Sequence, residues 1–200
     1  MTDKMNENSG VLLQGHIKIH NPETGEVIVD KRNAIHYENM SISLAESIGN
    51  AGTGWIYQMG FGNGGTSVDD TGIITYLTPN STGTNASLYN ETFTKVVDDR
   101  SVNNTDPARN KLETRHVAGT NYTDIIVTCL LDYGEPNGQD AFDTAASADS
   151  PYVFDELGLR SYSASGEGRL ITHVVFHPVQ KSLNRLVQID YTVRIQSLAG

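Results

Sequence analysis

Cysteine is nearly missing from this chain: Cys129 is the only one in 200 residues. Its isolation excludes an intramolecular disulfide and any zinc site built from paired cysteines. Cys129 lies in the apolar run Ile125-Ile-Val-Thr-Cys-Leu-Leu131, where a thiol acts as a small buried hydrophobe and not as a nucleophile. Long apolar runs are missing too. The first ten residues are polar, unlike a secretory signal, and no later stretch approaches the length that spans a bilayer. The Asn-x-Ser/Thr triplets at Asn39, Asn80, Asn85, Asn90, Asn103 and Asn121 therefore read as by-products of an Asn- and Thr-rich loop composition.

Positive charge is also short. Against 24 Asp+Glu there are 14 Lys+Arg, a formal net charge of -10, so DNA or an anionic membrane meets net repulsion. Nucleic acid and membrane are thus excluded from the expected partners.

The standard catalytic signatures are absent: there is no G-x-S-x-G elbow, no P-loop and no H-E-x-x-H. Gly60-Phe-Gly-Asn-Gly-Gly65 satisfies G-x-G-x-x-G, but a dinucleotide site needs those glycines to open a helix. Thr66-Ser-Val-Asp-Asp-Thr-Gly72 follows instead, and Asp69 and Asp70 sit badly beside a phosphate, so the segment reads as a turn. His16 with His20, and His173 with His177, share H-x-x-x-H spacing. On a strand that spacing separates the rings by about 13 Å, too far to hold one ion. Adjacent Asp155 and Glu156 point to opposite faces of a strand, so they form no carboxylate pair, and at least one is expected to face outward. The expectation is no catalytic residue, no cofactor, no metal and no enzyme.

What is present is β structure. The length suits one domain, residues 11–200, behind a flexible N-terminal arm of residues 1–10. Ile17 and Ile19 alternate with polar residues, Asn21-Pro-Glu-Thr-Gly25 supplies turn chemistry, and Glu26-Val-Ile-Val-Asp30 returns, making a hairpin of residues 11–30. Asn33 to His36 reads as a connector to the one helix, near residues 39–49. There Asn39 is the expected cap, Met40, Leu44, Ala45 and Ile48 the apolar face, and Gly49 the stop.

Short β-rich segments follow: Gly54 to Phe61, Ile73 to Leu77, Leu88 to Val97, Lys111 to His116, Tyr122 to Leu131, Val153 to Tyr162, Leu170 to Phe176 and Leu186 to Gln196. The last alternates most cleanly, with Val187, Ile189, Tyr191, Val193 and Ile195 on one face. The fold expected is mainly β, an antiparallel β-sandwich with one short α-helix and long loops. Those loops, Thr78 to Ser87, Asp98 to Asn110 and Asp132 to Pro151, have the length of intersubunit arms and equally that of flexible surface connections.

In order along the chain, Met59-Gly-Phe-Gly-Asn-Gly-Gly65, Ser87-Leu-Tyr-Asn-Glu-Thr-Phe-Thr-Lys-Val-Val97, Glu156-Leu-Gly-Leu159 and Gly168-Arg-Leu-Ile-Thr-His-Val-Val-Phe-His-Pro178 resemble the N-terminal attachment domain of bacteriophage tail-collar fibre proteins. The resemblance runs from about Met40 to Ile195. It implies a structural protein of a tailed-phage particle, in the tail, baseplate or neck/collar, or an adaptor for fibre attachment, located in the virion and in the host cytoplasm during assembly. The implied partners are other virion structural proteins and copies of the chain itself, in a symmetric ring or trimer. Gly60, Gly62, Gly64, Glu156, Gly158 and Pro178 are the implied assembly-motif residues. Two features depart from the family: the added hairpin, and an end at Gly200 where a fibre continues into its shaft. The alternatives are a capsid decoration protein, or a receptor- or carbohydrate-binding β-sandwich whose stacking rings are sought among Trp55, Tyr57, Tyr76, Tyr89 and Tyr133.

Overall fold

The computed structural model describes residues 10–136, 152–164 and 168–198. All of the expected arm except Gly10, and most of the loop Asp132 to Pro151, lie outside the described residues.

Strand β1 (Gly10–His20) and strand β2 (Val27–Ile35) form the hairpin. Asn21 Oδ1 accepts from the Glu23 amide at 2.9 Å, and Gly25 takes a φ of 74°, a conformation that suits glycine. Asn33 to Ile35, expected as a connector, belong to β2. Their backbone is claimed on both sides, Asn33 pairing with Gly15 while Ala34 and Ile35 pair with His173 and Thr172.

Helix α1 (Tyr37–Ile48) is capped by His36, not by Asn39. Because β2 runs to Ile35, His36 is the last extended residue, and its Nδ1 accepts from the Asn39 amide at 3.2 Å. Asn39 is a buried first-turn residue whose Nδ2 donates to the Leu170 carbonyl at 2.9 Å. Asn39, Met40 and Ser43 are the buried residues of the helix, whereas Ile48 is 85% exposed. Each four-residue step rotates a helical side chain by about 40°, so Ile48 has turned about 80° away from Met40.

The remaining strands are β3 (Ile56–Gly62), β4 (Thr66–Val68), β5 (Ile74–Tyr76), β6 (Glu91–Val96), β7 (Lys111–His116), β8 (Tyr122–Leu131), β9 (Tyr152–Ser161), β10 (Thr172–Lys181) and β11 (Val187–Leu198). The short β4 carries no alternation and was not legible. Strand β10 runs past Phe176 through Pro178, while Leu170 makes only an isolated bridge to Arg160. Strands β4 and β5 form a separate hairpin; the other nine make one antiparallel sheet in the order β6-β3-β9-β10-β2-β1-β11-β8-β7.

That sheet has two wings joined by only two residue pairs between β10 and β2. It curls into a half-barrel, and the concave side is the core. One row across it shows the principle: Ile19 pairs with Ile189 and Ile189 with Cys129, all fully buried. Burial pushes the Cys129 thiol up to about 12, as befits a core hydrophobe. From the opposite wing Met59, Phe61, Leu157, Leu159 and Phe154 join the same cluster.

The two edges of the sheet are bridged by side chains. Strand β8 extends beyond β7, which starts opposite Thr128. The Leu130 amide therefore donates to Asn110 Oδ1 at 2.9 Å, and Lys95 Nζ from β6 donates to the Leu130 carbonyl at 2.7 Å and pairs with Glu135.

Ile189→Ala is expected to cost about 2–5 kcal/mol, as for a buried large-to-small change. Gln188→Ala, on the other face, should cost under about 1 kcal/mol. Urea unfolding of both variants checks the pair, and equal small effects would contradict the register.

Candidate functional site

Of the residues singled out by the resemblance, Gly62 and Gly64 meet the carboxylate of Glu156, and Gly60 and Gly158 lie beside it. In the antiparallel register of β3 with β9, Gly60 lies opposite Gly158 and Gly62 opposite Glu156. Glu156 Oε1 accepts from the Asn90 and Gly64 amides at 2.8 and 3.1 Å. Oε2 accepts from the Tyr89 amide and from His173 Nε2, both at 2.9 Å. His173 Nδ1 in turn accepts from the Asn80 amide at 2.8 Å, which places the ring proton on Nε2.

The neighbouring acid does the same for the next stretch of chain. Asp155 accepts from the Gly65 and Thr66 amides, each at 2.9 Å, and from the Thr66 hydroxyl. The expectation that one of the two acids faces outward is overturned: Asp155 is 3% exposed and Glu156 0%. Strand β9 is covered on both faces, and the covering segments have no sheet partner for those amides. These amides need acceptors, and the buried carboxylates supply them.

The glycines make room for this arrangement. A Cβ on Gly62 would stand 2.5 Å from both the Asn90 carbonyl and Glu156 Oε1, and one on Gly158 would stand 2.4 Å from the Thr172 carbonyl. Thus the segment Gly60 to Gly65 is a close-packed strand end that passes into β4, not the start of a helix. Leu88 and Leu170 close over Gly158, and Arg160 Nε donates to Glu91 Oε2 at 2.9 Å beside them. Pro178 stands apart, in the bulge between Val175 and Val179 on β10, where its missing N–H leaves no ladder bond unmade.

Burial alone would raise the pKa of Glu156. The bonds from His173, Asn90 and Tyr89 outweigh it, and the group lies below its ordinary 4.5. For Asp155 burial wins over the bonds from Thr66 and Gly65, and its pKa is raised. Glu156 and His173 are spaced like an acid–base dyad. Both side chains are 0% exposed, however, and each Glu156 oxygen already holds two donors of the chain itself. The arrangement is a latch that straps the 78–90 segment and the β4–β5 hairpin onto the sheet.

The sequence did not identify His173, Asn80 or Tyr89 as its members, because they come from a strand and a loop distant from Glu156. The available signal was an acid followed by Leu157 and Gly158 within an apolar strand. The other histidines go separate ways: His16 Nε2 meets Asp30 at 2.7 Å, His20 Nε2 meets Asp190 at 2.9 Å, and His177 Nδ1 meets the Tyr76 hydroxyl at 3.2 Å. Among the described residues no group of three or more His, Cys, Asp or Glu is placed to hold a metal ion, and no helix is long and apolar enough to cross a membrane.

The five aromatic candidates fall in three places. Trp55 and Tyr57 pack around Tyr162, the first stacked at 4.5 Å and the second edge-on at 5.2 Å. Tyr76 and Tyr89 lie by His177 and His173. Tyr133 donates to Glu23 at 2.6 Å beside the first hairpin.

Glu156→Gln puts an amide NH₂ where a carboxylate oxygen took two donors, so it should cost about 2–5 kcal/mol. Its depressed pKa means that Glu156 contributes stability that is complete above its unfolded value and lost as pH falls through the folded one. Asp155, with its raised pKa, contributes the opposite slope, complete below the unfolded value and lost as pH rises through the folded one. Melting curves between about pH 6 and pH 3 should therefore fall less steeply for Glu156→Gln than for the wild type, and more steeply for Asp155→Asn.

No protein-family model matches the chain, and neither a curated protein nor a solved structure proves similar to it.

Proposed function

We propose that the chain is a structural component of a tailed-phage particle: a tail, baseplate or neck/collar protein, or an adaptor on which a fibre is mounted. The observation that carries this reading is the use of the motif residues. Glu156 spends its carboxylate on the chain's own amides, and Gly60, Gly62, Gly64 and Gly158 are packed tightly against the chain itself, which leaves nothing for a substrate. A scaffold of this kind makes a rigid base for a projecting hairpin.

That hairpin is apolar on its outside. Val68 is 62% exposed, Ile73 63% and Tyr76 51%, and Leu77 follows. The register puts Val68 and Tyr76 on one face of the hairpin and Ile73 and Leu77 on the other. A two-stranded hairpin gains little by itself from such residues, whereas exposed apolar side chains gathered on one small element suit a contact with another protein. In this reading the partners are other virion proteins and further copies of the chain in a symmetric ring or trimer. The two wings serve as the layers of a sandwich, and the chain works in the virion after assembly in the host cytoplasm. The charge of -10 keeps it from nucleic acid and membrane. No catalytic step and no cofactor enter. The scatter of the aromatic rings over three places favours assembly over a carbohydrate-binding groove.

The test is a double substitution, Val68→Asp with Ile73→Asp. Stability should change by no more than about 0.5 kcal/mol per site, as at other exposed positions. Mass spectrometry of purified particles should find the wild-type chain at a fixed copy number and the variant missing. Wild-type chain absent from particles would end the proposal, and a variant incorporated normally would remove the hairpin from it.

A further inference from the structure

The half-barrel is held shut by Lys95 at one end and stands open at the other. There α1 does not close down on the concave face, and a cleft of about 900 Å³ separates them. Its floor is apolar: Leu112, Ile125 and Ile195 are half-buried, so the cleft keeps hydrophobic area in contact with water. Leu44 of α1 faces them. Volume and lining match those of small-molecule sites, which are mostly apolar with a few placed polar groups.

Three features restrict what fits. Trp55 is 38% exposed in the cleft wall, stacked on Tyr162 through one face only. Its indole N–H is already committed to Asp98 Oδ2 at 3.0 Å, which fixes the ring as a platform. Arg100 lies at the rim. Its backbone amide donates to Asp98 Oδ1 at 3.0 Å, and its guanidinium makes no hydrogen bond or ion pair with the described residues. Ser43 on α1 is 3% exposed, lines the cleft and has a hydroxyl with no hydrogen-bond partner among the described residues. A buried hydroxyl left unmatched is costly and is normally answered by some polar group.

We propose that this cleft binds a small, flat, apolar anion: an aromatic carboxylic acid whose ring stacks on Trp55, whose carboxylate meets Arg100 and whose second polar group reaches Ser43. The site lies at the open end of the barrel and does not depend on the assembly reading. A planar guanidinium takes a carboxylate in two parallel hydrogen bonds. The aromatic wall supplies area that an aliphatic chain would use less well.

The probe is 6-hydroxy-2-naphthoate, with 2-naphthoate lacking the hydroxyl and 2-naphthol lacking the carboxylate. Calorimetry on the full chain should show one saturable site with a Kd of about 10–100 µM, reasonable for a ligand of this size. Trp55 is the only tryptophan, so its fluorescence should change along the same isotherm. Arg100→Gln should weaken the naphthoates by about five- to tenfold and leave 2-naphthol unchanged. Ser43→Ala should weaken the hydroxynaphthoate and not 2-naphthoate. Ser47→Phe with Thr114→Phe fills the mouth from two exposed positions and should abolish binding of all three without lowering the melting temperature.

The proposal is overturned by absence of saturable heat with the wild type, or by binding that survives the filled mouth. It is also overturned by an Arg100→Gln variant that binds the naphthoates as well as the wild type does. Sedimentation showing that the filled variant loses a wild-type dimer would assign the cleft to a second copy of the chain instead. If the double variant melts early, the Arg100 and Ser43 comparisons still decide, since neither enlarges a side chain.

Discussion

The structure turns on a negative charge kept away from water. Glu156 sits in the middle of a strand covered on both faces, where an unpaired ion would be intolerable. It is accommodated because four donors reach it from three separate segments: Gly64, the Tyr89–Asn90 pair and His173. Three of those donors are backbone amides of part-buried segments with no sheet partner, and the fourth is the fully buried His173 ring. The ion and the loops are thus mutually dependent, and this dependence fixes the path of the chain between β3 and β6. Asp155 repeats the logic on the adjoining residues at a less favourable balance, its burial only partly offset.

At the closed end of the half-barrel a second polar arrangement does comparable work with the opposite sign. Lys181 is 1% exposed, and its ammonium donates to the Asp132 and Ser182 carbonyls at 2.9 Å each. Burial pulls its pKa down to about 8 despite the neighbouring Glu135 and Asp132. Together with Lys95 it reaches backbone carbonyls at strand ends: Leu130 and Asp132 at the end of β8, and Ser182 just past β10. A curled sheet that stops short of closing leaves such carbonyls, and long cationic side chains reach them where another strand does not.

Short β-rich segments between turns made most of the strands legible, and alternation assigned the faces of the last. Lys111–His116 and Tyr122–Leu131 are where the pattern puts them, and the inward face of Val187 to Val193 is buried as the alternation requires. Local pattern failed where tertiary context decides. Asn33 to Ile35 look like a connector because their pairing partners are Gly15 and the distant Thr172–His173. His36 displaces Asn39 as the helix cap because the strand before it runs longer than its composition indicates. The glycines of Gly60 to Gly65 announced a close approach of backbone, but only the fold names what approaches: the Asn90 carbonyl and the carboxylate across the strand. Nor does alternation assign opposite faces of β9 to water and core when both are covered. The cleft residues are equally silent in sequence, since Ser43, Trp55, Arg100 and Leu112 come from four different elements and loops.

The first and last strands lie side by side in the interior of the sheet, with Gly10 opposite Leu198. A pull applied at these two points would load the hydrogen bonds of the β1–β11 ladder one after another, as a zipper opens, whereas anchoring at Gly10 and at the distant Lys111 edge would draw on many at once. The ladder is antiparallel, so both points sit at the same end of it. Resistance to force therefore depends on where it enters, and tension between Gly10 and Leu198 meets one rung at a time even though that ladder lies in the interior of the sheet.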